Sequence, residues 1–453
     1  MKIKKLPIIT AIIMLISMFS SIPVSAVTFN PGISTASKAV YMVNLDRDLV
    51  VYEKNSDKKM YPASLTKIMT AIVVLDNVMD LENTVFEAPL EVFDDLYMTG
   101  ALTIGFGRGE QITVKDLMYS MLVYSACESA GILAYNVGGG SMDNFVDMMN
   151  EKAKEIGCTG TQFANPHGLH DRDQYTNAED MAKITRYALD NYPEFEEIAC
   201  TYEYVLGATN YSEEGWIRIT HSSKLMNPAS EYYYPYAKGI KTGTTDESGR
   251  NLISLAEKDG NRYLLVTMDA PMYDDNGYND FGNFEDHIAL YNWAFDTLSY
   301  QQIVPENKEI TEIPVIMGSD KDYVRLVTKE SHSMLWSNQI DVDKLKETID
   351  TSAFTDENGA VAAPIEQGQT LGTYTLSLNG EIICSVDLVA QESISLSIWE
   401  YNLSKAKQFF GSVWFKIGLV IALVLIVIYG LICIRINNIR RHRMERKRRN
   451  RRR

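Results

Sequence analysis

Residues 61–70 read Tyr-Pro-Ala-Ser-Leu-Thr-Lys-Ile-Met-Thr. Pro62 suits the first turn of a helix, and the apolar residues that continue behind it keep helical spacing as far as residue 75. On such a helix Ser64 and Lys67 stand three apart and share one face, where an amine can take the proton of a hydroxyl nucleophile. A free lysine has a pKa of about 10.4, so this chemistry requires burial or neighbouring cations that favour the neutral amine. S-x-x-K is short and recurs by chance, and the plain alternative is a solvated helix start.

Further along the chain, Tyr236-Ala237-Lys238-Gly239-Ile240 runs into Lys241-Thr242-Gly243-Thr244, and a strand-like stretch follows at 252–256. At a strand edge Lys241 and Thr242 offer an ammonium and a hydroxyl, and Gly243 removes a side chain where a substrate backbone must approach. That combination suits an acyl substrate ending in a carboxylate; an exposed turn is the alternative. Between the two motifs, Ser125-Ala126-Cys127 follows a helical stretch at 114–123. Ser125 there is either a helix cap or a hydroxyl that relays a proton. The three elements stand in the order S-x-x-K, S-x-x, K-T-G, the serine and lysine set of penicillin-binding proteins and β-lactamases.

The sequence resembles the serine-type D-alanyl-D-alanine carboxypeptidases among the low-molecular-mass penicillin-binding proteins. The resemblance is carried by P-A-S-L-T-K-I-M-T-A at 62–71, F-A-N-P-H-G-L at 163–169, G-I-K-T-G-T-T at 239–245 and A-P-I-E-Q-G-Q-T-L-G at 363–372. It implies a β-lactamase/transpeptidase-like domain, a β-rich domain behind it, and removal of the terminal D-alanine from peptidoglycan stem peptides without a cofactor or metal. It also implies acylation by β-lactam antibiotics. By the same resemblance Ser64 is the acylated nucleophile, Lys67 its base and Ser125 the proton relay to the leaving D-alanine. Lys241 and Thr242 hold the substrate carboxylate, and the N–H groups of Ser64 and Thr244 form the oxyanion hole. Cys127 departs from the pattern, which has Asn there; an amide donates and accepts, whereas a thiol does both weakly. The competing functions are a β-lactam or muropeptide sensor that acylates without turnover, and a β-lactamase.

The organisation outward from these motifs is α+β. A hairpin is expected over 39–53 around Asp46-Arg47-Asp48, then helices over 65–75, 114–123, 129–135, 142–156 and 178–189. Strands follow at 252–256 and 263–268, and a helix at 284–298. Strands at both ends with helices between them make a layer in which the terminal strands pair. After Pro305 the pattern turns to short β runs at 323–327, 373–378 and 382–389, the last two joined by Asn379-Gly380. The expected division is a signal peptide at 1–26, a serine peptidase domain at 27–304, a small all-β domain at 305–390, an amphipathic connector or plain linker at 391–412, a transmembrane helix at 413–434 and a basic tail at 435–453.

Charge and the chain ends bear on partners and location. The formal net charge of −16 is uneven: three lysines at 2, 4 and 5, and eleven basic residues against Glu445 in 435–453, leave −29 between them. So acidic a body repels nucleic acid, and the basic tail reads as a topology signal. A basic start, an apolar run over 6–19 and Val24-Ser25-Ala26 mark a secretory signal. Residues 417–434 carry no charge and Arg435 follows at once, placing the tail in the cytoplasm and the catalytic body outside, on a single-pass membrane protein. The widely spaced Cys127, Cys158, Cys200, Cys384 and Cys433 fit neither a disulfide scaffold nor a zinc site and read as mostly free thiols. His167 and His170 with Asp171 and Asp173, and Asp274 to Glu285 as a calcium-like loop, read as structural or solvated loops rather than metal sites.

Overall fold

The computed structural model describes residues 29–213, 217–378 and 380–450. The leader expected over 1–26 and Asn379 of the expected turn lie outside the described residues. The described chain divides into two compact units, one reaching to Ser299 and including Leu335–Ile340, the other holding Tyr300–Met334 and the chain from Asp341 on. Each is built around its own sheet.

In the first unit, β1 (Ala39–Asn44) and β2 (Leu49–Lys54) form the hairpin, and β3 (Ala237–Thr245), β4 (Gly249–Lys258) and β5 (Asn261–Ala270) arrive nearly two hundred residues later. The sheet runs β2-β1-β5-β4-β3, antiparallel throughout. β1 pairs with β5 in the register Ala39 with Met268 through Asn44 with Tyr263, so the first and last strands meet at its centre. Residues 251–256 and 263–268 are buried almost without a break because helices cover both faces. Leu264, Val266, Met268, Ile253 and Leu255 face the main apolar core. On the other face, Ser254 and Thr267 bond the two ring nitrogens of His287, and Tyr291 bonds Ser254, both from the helix α8 (Gly282–Thr297).

The core between the strand pairs is helical. A 3-10 turn at Ala63–Thr66 leads into α1 (Lys67–Asn77), whose K-I-M-T-A-I-V-V stretch is buried on every side. A helix apolar all round belongs at the centre of a core, and here it fixes the residues at its start. Around it stand α2 (Leu90–Leu96), α3 (Val114–Tyr119), α4 (Cys127–Val137), α5 (Met142–Ile156), α6 (Ala178–Asn191) and α7 (Pro193–Ala199). α5 is capped by the Ser141 hydroxyl, which accepts from Asn144 N–H, and closed by Gly157 at φ +90°. The helix expected over 114–123 instead ends at Tyr119 and widens into a π-turn at Ser120–Tyr124. Buried hydrogen bonds hold this turn: Ser120 Oγ to Leu117 O and to Ser129 Oγ, and Ala126 N–H to Ser120 O.

The second unit holds a six-stranded sheet. Its strands are β6 (Glu309–Ile316), β7 (Tyr323–Thr328), β8 (Lys346–Asp350), β9 (Val361–Ala362), β10 (Thr370–Leu378) and β11 (Glu381–Ala390), in the order β8-β10-β11-β7-β6-β9. After it come α9 (Ile398–Gly411), exposed along its length, and α10 (Val413–Asn450). α10 is long and apolar enough to cross a membrane. At 38 residues it runs on helically beyond Ile434 through the start of the basic segment.

Candidate active site

Backbone strain marks the nucleophile candidate first. Ala63 sits at φ +48°, a region rare for a residue with a Cβ, and turns Pro62 into the 3-10 turn that carries Ser64. One turn on, Lys67 is fully buried at the head of α1 and its Nζ lies 2.9 Å from Ser64 Oγ. Two further groups meet that nitrogen, the His167 carbonyl at 2.5 Å and Cys127 Sγ at 3.4 Å. A neutral amine has two N–H bonds and one lone pair. Lys67 Nζ donates to all three groups, Ser64 Oγ included; once it has given up one proton, the carbonyl oxygen and the sulfur take the two hydrogens that remain and the lone pair turns to the Ser64 hydroxyl, the arrangement a general base needs.

The π-turn ends with Ser125 in the left-handed region at φ +77°, and this reversal brings Ser125 and Cys127 to the same cleft as Ser64. Cys127 N–H is fixed to Leu102 O at 2.8 Å, so the residue is anchored by its backbone in addition to the contact of its sulfur with Lys67. The opposite wall is β3, the edge strand of the sheet, which contributes Thr242, Gly243 and Thr244. A Cβ on Gly243 would stand 2.9 Å from Pro62 O and 3.1 Å from Ser64 N. Besides lining the cleft, this glycine therefore admits the backbone of the nucleophile's own turn, bringing the first-turn N–H of Ser64 against the strand.

Lys241 is fully buried behind that wall and donates to Thr242 O at 3.0 Å. Burial and the nearby Lys67 charge hold its pKa well below the usual lysine range. Behind it His221 is pushed down to about 3 by burial and by Lys241, and so adds no second cation. The cleft encloses about 780 Å³, and its far rim is made of residues 99–102, 167–170, Asp246 and Glu247. No group of three or more His, Cys, Asp or Glu side chains placed to hold a metal occurs among the described residues.

All eight expected residues, Ser64, Lys67, Ser125, Cys127, Lys241, Thr242, Gly243 and Thr244, thus lie in or directly behind one cleft. Sequence reasoning missed three groups that hold it. Asn251, on β4, donates to Tyr61 O at 2.9 Å and to Pro62 O at 3.1 Å, tying the sheet to the nucleophile's turn. A lone Asn in the buried run Asn-Leu-Ile-Ser-Leu-Ala was the available signal. Ser222 Oγ bonds Thr242 Oγ1 at 2.7 Å and lines the cleft. The 163–169 loop, read as structural, delivers the His167 carbonyl to Lys67.

Residues 25–272 match the family described as D-alanyl-D-alanine carboxypeptidase, and 298–395 match the penicillin-binding protein 5 C-terminal domain. The chain is 27% identical over 358 residues to the D-alanyl-D-alanine carboxypeptidase DacF of Bacillus subtilis, covering 79% of this chain and 86% of that one. It is similar to the structure of penicillin-binding protein 5 from Haemophilus influenzae at 25% identity and a TM-score of 0.54, covering 80% of this chain and 98% of the other. It shares the fold of the carboxypeptidase DacD from Francisella tularensis, with a TM-score of 0.59 at 24% identity, covering 82% of this chain and 96% of that one.

Proposed function

The chain belongs to the D-alanyl-D-alanine carboxypeptidase family and is a serine-type D-Ala-D-Ala carboxypeptidase, and from that premise we propose how its own residues perform the reaction. Ser64 attacks the carbonyl of the penultimate D-alanine while Lys67 takes its proton; the contact of 2.9 Å between Lys67 Nζ and Ser64 Oγ is the observation that carries the reading. The developing oxyanion is met by the N–H groups of Ser64 and Thr244. Ser125 passes the proton to the departing D-alanine, and water then releases the shortened peptide from Ser64 by the reverse proton path. The Thr242 hydroxyl contacts the substrate's terminal carboxylate, and Lys241 acts on that carboxylate from beneath as a buried charge. A β-lactam enters by the same route and stays on Ser64 as an acyl-enzyme.

The substrate is the peptidoglycan stem peptide. We further propose that the mature chain begins at Val27 and that the catalytic body lies outside the membrane with the basic tail in the cytoplasm. The uncharged stretch of α10, followed at once by Arg435, supports the placement of the body and the tail, and Val24-Ser25-Ala26 after the apolar run supports the cleavage. The test is release of free D-alanine from diacetyl-Lys-D-Ala-D-Ala by the detergent-solubilised full chain and by Ser64→Ala. Release that survives Ser64→Ala would sink the mechanism. A penicilloyl adduct lost within seconds would instead favour a β-lactamase.

A further inference from the structure

Lys67 is held from one side by a peptide carbonyl, and that carbonyl belongs to a residue whose ring is clamped at both nitrogens. His167 Nδ1 accepts the Leu169 N–H at 3.2 Å, which leaves the single ring proton on Nε2, and Nε2 lies 3.0 Å from Asp95 Oδ2. The ring is buried, its side chain only 4% exposed, whereas the Asp95 carboxylate is 44% exposed on α2. Burial lowers the pKa of His167, keeping it neutral, and the bond from His167 lowers that of Asp95, keeping it ionised. The pair is therefore a neutral donor on a charged acceptor, among the stronger kinds of hydrogen bond.

The backbone around His167 has little slack. Thr70 Oγ1 donates to Pro166 O at 2.6 Å, and Lys67 Nζ donates to His167 O at 2.5 Å, so α1 grips two successive carbonyls. Gly168 follows at φ +88°, with its Cα pressed so close to the nucleophile's turn that a Cβ would stand 2.0 Å from Ala63 O. A small turn of the 167 peptide thus moves the base's acceptor and crowds the nucleophile's backbone together. Thr70 holds this segment from the core side, Asn165 and Gln174 hold the backbone at Gly168 and Leu169, and Asp95 is the contact on the His167 ring nitrogen Nε2.

We propose that Asp95 is a positioning residue for acylation: through the His167 ring it fixes the carbonyl that orients the Lys67 amine toward Ser64. It touches neither substrate nor the reacting atoms, and it lies outside every motif that marks the family in this chain. The proposal rests on Ser64 and Lys67 being nucleophile and base. Its signature is a loss in the chemical step with binding preserved, recovered by any side chain that accepts the same Nε2–H bond.

The experiment measures single-turnover acylation by a fluorescent penicillin, and kcat and KM for diacetyl-Lys-D-Ala-D-Ala, on the full chain in detergent. The variants are Asp95→Ala, Asp95→Ser, Asp95→Asn and Ser64→Ala, each with its thermal midpoint. The short Ser cannot span to the ring and stands in should the Ala variant not fold. Asp95→Ala and Asp95→Ser are expected to lower kcat and the acylation rate about tenfold with KM within about twofold. Asp95→Asn, whose amide oxygen still accepts from Nε2–H, is expected to stay within about threefold of the parent. An unchanged kcat in the truncated variants, a loss carried by KM, or an Asn variant as slow as Ala would each overturn the proposal. Labelling that survives Ser64→Ala overturns the underlying assignment of the nucleophile, and is read without reference to the Asp95 variants.

Discussion

Replacing Cys127 tests how much the thiol limits the enzyme. Lys67 Nζ has a close carbonyl acceptor in His167 O at 2.5 Å, but on the Cys127 side only a sulfur at 3.4 Å. Sulfur is a weak acceptor, so removing it in Cys127→Ala costs little: acylation is expected within about threefold of the parent. Cys127→Asn puts a full carbonyl acceptor and an N–H donor at the same place. The residue's backbone is held by its own N–H bond to Leu102 O at 2.8 Å, which either substitution leaves intact, and the buried side chain stands where the apolar core meets the cleft. A hydrogen bond to a charged group contributes about 1.5 to 3 kcal/mol, which in rate is a factor of roughly 10 to 150. That range is the expected ceiling for the gain in Cys127→Asn, because His167 O already supplies one of the two acceptors. The assay is rapid-quench single-turnover acylation by the tripeptide, with parent and variants run together at saturating substrate. If Cys127→Ala abolishes acylation while Cys127→Asn fails to improve it, the thiol takes a positive part and the reasoning from acceptor strength is wrong.

A labelled penicillin is expected to give one adduct per chain, mapping by mass spectrometry to Ser64 and absent from Ser64→Ala; an adduct elsewhere refutes the placement of Lys67 as its base. Lys241→Gln is expected to cost substrates with a free C-terminal carboxylate far more than their C-terminal amides, and equal losses would remove the charge role. Because burial and Lys67 hold Lys241 well below the usual lysine range, the ammonium that favours a carboxylate is lost on raising pH earlier than an exposed lysine would lose it; KM for the carboxylate substrate should rise in that window while KM for the amide stays flat. Gly168→Ala drives a Cβ to 2.0 Å from Ala63 O, so penicillin labelling should fall more than about a hundredfold even where circular dichroism shows a folded chain. Glu128 accepts from Ile104 N–H and Gly105 N–H, yet burial raises its pKa. For an acid raised in the fold the charged form is the costly one, so stability is lost as pH climbs from the unfolded value of about 4.3 through the folded one. The gain in thermal midpoint from Glu128→Gln should accordingly be larger at pH 7.5 than at pH 4, and the opposite order would refute the assignment.

Elements whose side chains meet neighbours close in sequence were legible. α5 was read to the residue because an amphipathic stripe, a Ser141 cap and a terminal Gly157 all act within 16 residues of one another. β4 and β5 were read as apolar runs, but their order in the sheet came from the α+β pattern and not from the runs themselves. The catalytic set was legible because Ser64 with Lys67, Ser125 with Cys127, and 241–244 each fall in a short local pattern. What escaped is held at a distance. The seven-residue α2 spans under two turns, too short for an apolar stripe to repeat, and the partner of Asp95 is a His 72 positions away. Asn251 acts on carbonyls 189 and 190 residues earlier. The π-turn depends on Ser120 finding Ser129 after the chain has reversed, and a reading by helical period continues straight through it.

The order of strands in the sheet also sets when an enzyme exists at all. β1 and β2 leave the ribosome early, but the strand that lies against β1 is β5, which ends at Ala270. Until some 270 residues have been made, the hairpin has an open edge, the buried helix α1 has no sheet to lie on, and Ser64 has no facing strand. Non-local pairing of this kind makes a slow and late assembly step. The sheet that backs Ser64 therefore cannot be complete until β5 has been made.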